Sequence, residues 1–146
     1  MRKTMIAALG AATMLFAFPA TAQDIPLVNG SYWNVTGITI DDGHFSNYAD
    51  YLAGEYRKQQ DFMKAKGWIK DYYILSNGSK RADEPDLYLV QIFDHMTTPA
   101  EDVAREKEMY AHMAMSTRQS EAGSGNRAKF RKIGGTMLLQ EQLYRK

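Results

Sequence analysis

The sequence predicts an α+β domain whose elements run strand, helix, strand, strand, helix, strand. Three observations carry this. Leu87 to Phe93 is a nearly unbroken apolar run, β-branched and aromatic, bounded by Pro85-Asp86 and Asp94-His95. It is too short for an ordinary helix and reads as a central strand buried on both faces. Just beyond it, Thr98-Pro99-Ala100-Glu101 supplies an N-cap, a proline at the first helical position and a glutamate placed to close a capping box. The same strand-then-helix order stands earlier in the chain, where an aromatic and β-branched run precedes a long helical pattern.

The first 22 residues are expected to lie outside the domain. Arg2 and Lys3 form a positive start, Met5 to Phe18 is an apolar stretch too short to span a bilayer, and Pro19 ends it. Ala20-Thr21-Ala22 is a small-x-small cleavage site. The pattern is that of a signal peptide. The expected mature protein is residues 23–146, one α+β domain with an ordered core at about 32–144, exported to the periplasm or secreted, with no membrane span left after cleavage. Loss of Arg2 and Lys3 takes the 18 basic residues to 16 against 17 acidic ones, a formal charge of −1. No global field then favours nucleic acid or an anionic membrane. Without cysteine, the core alone must hold the domain, and thiol nucleophiles and thiolate metal sites are excluded.

Gln23 to Gly30 reads as a polar lead-in. Tyr32 to Ile40 is the first strand, and Gly37 within it predicts a bulge or a close approach by a packed helix. Asp41-Asp42-Gly43 ends it. Phe45, Tyr48, Leu52, Tyr56 and Met63 recur at helical spacing from about His44 to Lys66, with Gly67 as the residue after the helix. Trp68 to Leu75 is the second strand. A charged loop, expected to be mobile at its tip, leads to Leu87–Phe93. The second helix is predicted from Pro99 to about Arg118, with Val103, Tyr110, Met113 and Ala114 as its apolar line and Glu101 and Arg105 spaced for an i,i+4 pair. Ser120 to Gly135 reads as less regular, broken by Gly123-Ser124-Gly125-Asn126, and Thr136 to Tyr144 is the fourth strand.

This order is the ferredoxin-like βαββαβ arrangement. Right-handed crossovers put both helices on one face of a four-stranded antiparallel sheet, with the first and third strands in the middle. The other face would be bare. One consistent choice of alternation gives the bare face Asn34, Thr36 and Ile38, Leu89, Gln91 and Phe93, and Leu138, Gln140 and Gln142. Trp33 and Val35, Val90 and Ile92, and Met137 and Leu139 would then meet the helices. A layer so apolar invites a second sheet. The expected assembly is a homodimer with sheets face to face, a dimeric α+β barrel.

In element order and lengths, from about Tyr32 to Tyr144, the chain resembles the dimeric α+β-barrel superfamily, which includes antibiotic-biosynthesis-type monooxygenases and NIPSNAP-like proteins. The haem-degrading branch of that superfamily uses an Asn, a Trp and a helix-borne His. Asn34 and His112 match the first and third of these; Trp33 and Trp68 do not fall where the second belongs.

Three functions remain open on these residues. The first is a binding protein for a small apolar or aromatic molecule, suggested by nine Tyr, six Phe and two Trp. Its contacts would be Asn34, Gln91, Phe93, Tyr110 and Gln140, with no metal and no cofactor. The second is a cofactor-independent monooxygenase or isomerase, a resemblance of fold, with His112, His95 and Asn34 as catalytic candidates. The third is a non-catalytic structural or interaction module. His44 beside Asp41 and Asp42 reads better as a helix start than as a metal site. Met109, Met113 and Met115 read as packing. Arg127, Lys129, Arg131 and Lys132 read as a solvated face or a contact for an anionic ligand or partner. No GxSxG, HExxH, phosphate-cradling loop or dinucleotide fingerprint is present.

Overall fold

The computed structural model describes residues 25–146. The expected signal peptide lies outside the described residues. Four antiparallel strands, β1 (Leu27–Ile40), β2 (Asp71–Ser76), β3 (Leu87–Phe93) and β4 (Arg131–Tyr144), form one sheet in the order β2-β3-β1-β4. This is the ferredoxin-like order, with β1 and β3 central. β3 has the expected bounds, and Val90 at its middle is 1% exposed. Among the described residues no helix is long and apolar enough to cross a membrane.

The first helical stretch comprises α1 (Phe45–Tyr51), a π-helical turn (Leu52–Tyr56) and α2 (Arg57–Ala65). Its i→i+5 bonding turns the chain less per residue than an α-helix does. That keeps Tyr48, Leu52 and Tyr56, spaced four apart, on the sheet side. All three are buried, and they pack with Ile38 and Leu87 as the main core. Gly54, within the turn, leaves open space around its Cα.

The second helix is shorter than expected. α3 spans Pro99–Met113 and closes the predicted capping box: the Thr98 amide donates to Glu101 Oε2 at 2.7 Å, and the Glu101 amide donates to Thr98 Oγ1 at 3.3 Å. The first of these bonds holds the Glu101 carboxyl below the usual range. Ala114, left-handed at φ 50°, stops the helix. A further helix, α4 (Thr117–Arg127), then runs through Gly123 and Gly125, where a flexible break was expected. A second capping box, Ser116 with Gln119, starts it. Glycine costs a helix only about 1 kcal/mol per residue, and a satisfied cap offsets a comparable amount. The expected apolar line of the second helix also fails at Val103, which is 68% exposed.

Both predicted readings of Gly37 bear on what the structure contains. The β1–β4 register shifts between Thr36 and Ile38, which is the bulge. The close approach comes from the β2–β3 loop, not from a helix: a Cβ on Gly37 would stand 2.5 Å from Pro85 Cγ. The loop is tied at its base, where the Asp86 amide donates to the Ile38 carbonyl and the Ile40 amide to Asp86 Oδ2, each at 2.8 Å. Gly37→Ala is therefore expected to destabilise the fold by about 1–3 kcal/mol, as overpacking does. Adding Pro85→Ala should recover much of the loss in a urea titration. A single mutant as stable as the parent would mean that Pro85 yields freely.

The two layers of the sheet are reversed from the assignment above. Ile38 packs on α1 and the π-turn. Gln91 Nε2 donates to Gln60 Oε1 of α2 at 2.8 Å. With the register pairing Asn34 with Gln91 and Leu138, and Tyr32 with Phe93 and Gln140, that whole layer is on the helix side. Period two separates the layers but does not say which one is roofed. Gln91 belongs underneath because Gln60 of α2 satisfies it. Among the described residues no helix covers the opposite layer, which includes Trp33, Val35, Tyr88, Val90, Ile92, Asp71, Tyr73, Leu75, Met137 and Leu139. It carries no amide side chain. Val35, Val90 and Ile92 are buried there among Trp33 and Tyr88, whereas Tyr73, Leu75, Met137 and Leu139 lie 43–49% exposed.

Candidate functional site

A cleft of about 440 Å³ opens between the helix side of the sheet and the α2 and α3 helices. Asn34 of β1 and Gln91 and Phe93 of β3 form its floor. Met63, Trp68 and Ile69 form one wall, and Arg105, Glu106 and Met109 of α3 the other. The walls are held by contacts between α2 and α3. Lys66 pairs with Glu108 at 2.6 Å, and the His112 ring stacks on Phe62 with centroids 4.0 Å apart. Trp68 meets Phe62 edge-on, and the Arg105 guanidinium lies 5.5 Å from the Trp68 ring centroid. Gly67, at φ 69°, ends α2 and turns Trp68 inward. The second strand accordingly starts at Asp71 and not at Trp68.

The polar groups of the floor are in different states. Gln91 commits its amide donor to Gln60 and also reaches Met63 Sδ at 3.9 Å. Asn34 makes no side-chain hydrogen bond among the described residues, so donor and acceptor both remain for a ligand. At the mouth, His95 borders the cleft with Met96 and Thr97, its Nε2 4.0 Å from Glu101 Oε1. Glu101 also meets Arg105 at 4.0 Å, the expected i,i+4 pair. Behind His95, Ser31 Oγ donates to Asp94 Oδ1 at 2.9 Å and Lys70 pairs with the same oxygen at 3.2 Å. These two contacts, Ser31 first, hold the Asp94 carboxyl below its usual range and join β1, β3 and the entry to β2.

The expected site residues divide accordingly. Asn34, Gln91, Phe93 and His95 come together in this cleft. His112 does not: it lies on the outer side of α2 and α3, in a shallow groove with Gly54, Arg57 and Phe62. Tyr110 and Gln140 do not border the cleft. Sequence reading missed Trp68, Met63 and Met109 as cleft residues. Gly67 was the available signal for Trp68, since a left-handed residue redirects the chain that follows it.

A second depression of about 290 Å³ adjoins the first, and Asn34 and Gln91 border both. Tyr51, Tyr56, Arg127 and Arg131 line it. Here the basic cluster splits. Arg131 is buried at 7% exposure, and the Arg127 guanidinium sits 3.8 Å from the Tyr51 ring centroid and 3.8 Å from Glu55 Oε1. Burial pushes the Tyr48 hydroxyl up to about 12 and raises Tyr51 and Tyr56 as well. All three stay protonated and able to donate across the physiological range. His44, weighed above as a metal ligand, stacks on Phe130 at 5.2 Å. No protein-family model matches the sequence, and no curated protein is similar to it.

Proposed function

We propose that this is an exported member of the dimeric α+β-barrel superfamily that binds a small molecule with an apolar or aromatic body in the cleft under its helices. The observation that carries the reading is the cleft itself: Trp68, Phe93, Met63 and Met109 line it with an Asn34 amide that no group engages among the described residues. Apolar walls with one or two convergent polar groups are what small-molecule sites require. Strand order supports the superfamily, and the Arg2-to-Ala22 pattern supports export. The helix-free layer supports pairing of two four-stranded sheets into one barrel, with a cleft on the outside of each subunit.

The two tryptophans make the test direct, because Trp68 borders the cleft and Trp33 lies on the opposite layer. In Trp33→Phe, naphthalene-type probes should quench or shift the remaining fluorescence saturably. Asn34→Leu should weaken hydroxylated probes roughly tenfold while sparing hydrocarbons. No saturable response from any probe, together with no retained small molecule in native mass spectrometry, would end the reading. The enzymatic alternative keeps Asn34 and His95 at one cleft and loses His112. His95, at the open mouth beside Glu101, is its one histidine candidate.

A further inference from the structure

We propose that the ligand of the cleft is an amphipathic carboxylate, whose apolar body lies against Trp68 and Phe93 and whose anionic end is taken by Arg131, Arg127 and the Tyr56 hydroxyl in the adjoining depression. The proposal rests on the binding reading above and adds the charge of the ligand and its direction.

Three residues that line that depression carry a buried donor with no acceptor among the described residues: Tyr56 Oη, Arg127 Nε and Arg131 Nε. Tyr56 and Arg131 are themselves only 6% and 7% exposed. A buried donor without a partner is costly, so three of them on residues that line one depression call for an acceptor that the described residues do not supply. They come from separate elements. Tyr56 ends the π-turn, Arg127 ends α4, and Arg131 begins β4. The cations are steadied by rings: Arg127 lies over Tyr51, and Arg131 lies 5.8 Å from the Tyr48 centroid. Ring faces orient a guanidinium while leaving its N–H edge free.

Charge sets the class of acceptor. Glu55, also at the depression, pairs with Arg127 at 3.8 Å. Arg131 has no carboxylate partner among the described residues. The surplus is one positive charge, which suits a single carboxylate, and a guanidinium edge binds a carboxylate in a fork. The hydroxyls of Tyr48, Tyr51 and Tyr56 stay neutral, so they add no opposing charge. Direction follows from Asn34 and Gln91, which border both depressions, so that a ligand lying across these two amides would reach from one to the other.

The test uses the mature protein and a graded series of ω-phenylalkanoates, each beside the matching ω-phenylalkanol, measured by titration calorimetry. At the best chain length the carboxylate should bind roughly tenfold or more tighter than its alcohol. Arg131→Gln should bring the pair to parity and leave the alcohol within about twofold. Should Arg131→Gln not fold, Arg127→Lys and Tyr56→Phe serve, each expected to cost the carboxylate about threefold or more with the alcohol unchanged. The Nε–H signals of Arg127 and Arg131 in ¹⁵N spectra should move with the carboxylate and stay still with the alcohol. Equal affinity of carboxylate and alcohol would overturn the anionic end and leave the apolar cleft standing. Binding of carboxylates independent of their apolar body, with both arginines responding, would keep the anionic end and overturn the apolar one. An ω-phenylalkyl phosphate that outcompetes the carboxylate would overturn the assignment of acceptor class. No binding by any member would overturn both.

Discussion

Met137→Glu is expected to abolish the proposed pairing of subunits and leave a monomer. Met137 sits opposite Val35 on the helix-free layer and is 48% exposed in the single subunit. A glutamate there meets water in a monomer and should leave the subunit folded. Between two facing sheets the same carboxylate would be buried without a partner, at a cost of several kcal/mol, or a loss of at least a hundredfold in dimer affinity. Light scattering on size-exclusion fractions at tens of micromolar should return twice the subunit mass for the parent and once for the variant, with unchanged circular dichroism. Leu138→Glu is the control. It is 53% exposed and one residue away, but on the helix side of β4, so it should remain dimeric. A monomeric parent would remove the barrel and the superfamily assignment with it. The cleft, on the other side of the sheet, would be untouched. Dissociation by Leu138→Glu instead would place the interface elsewhere.

Ile38→Ala should destabilise the subunit by about 2–5 kcal/mol. Ile38 is 2% exposed at the point where β1, α1 and the π-turn meet, touching Tyr48, Leu52 and Tyr56. Those neighbours are braced by one another, with the Tyr48, Tyr51 and Tyr56 rings in a chain of contacts of 5.5 and 6.2 Å. They cannot close readily over a missing side chain, and the cavity would persist. Ile74→Ala, on the edge strand and 42% exposed, should cost about 1 kcal/mol or less. Urea titrations of both variants at one fixed protein concentration give the comparison, because subunit pairing would otherwise contribute to apparent stability. A cost at Ile38 no greater than at Ile74 would mean that the helices do not rest on the sheet as described.

Legibility varied with how local each signal was. The β3 segment carried its own boundaries, in Pro85-Asp86 and Asp94-His95, and those bounds hold. The Thr98–Glu101 capping box is likewise local, four residues that satisfy one another, and it forms as expected. α4 lies where the sequence predicts the end of the second helix and a glycine-broken stretch, although Ser116 and Gln119 carry the same kind of cap. The sequence predicts the start of β1 at Tyr32 because Gln23 to Gly30 is polar and broken by Pro26 and Gly30. Pairing with β4, Leu27 against Tyr144 and Val28 against Leu143, extends the strand. Gly30 leaves the room that Glu141 Oε2 occupies as it accepts from the Ser31 amide at 3.3 Å. Asn34, Gln91 and Phe93 are expected as ligand contacts with Tyr110 and Gln140, and His95 as a catalytic candidate with His112; the cleft gathers the first three and His95, while Trp68 and the two arginines of the second depression depend on turns and helix angles that no local pattern encodes.

Residue order was enough for the four strands, the βαββαβ succession around α4 and the two alternating layers of the sheet, since each follows from chain-local periodicity and turn chemistry. Which layer lies under the described helices, and therefore which carries the cleft and which faces away from them, was decided only in three dimensions. A strand presents both layers with the same period, and the choice falls to contacts between residues far apart in the chain. Gln60 meeting Gln91, and Tyr48 and Tyr56 closing over Ile38, are those contacts.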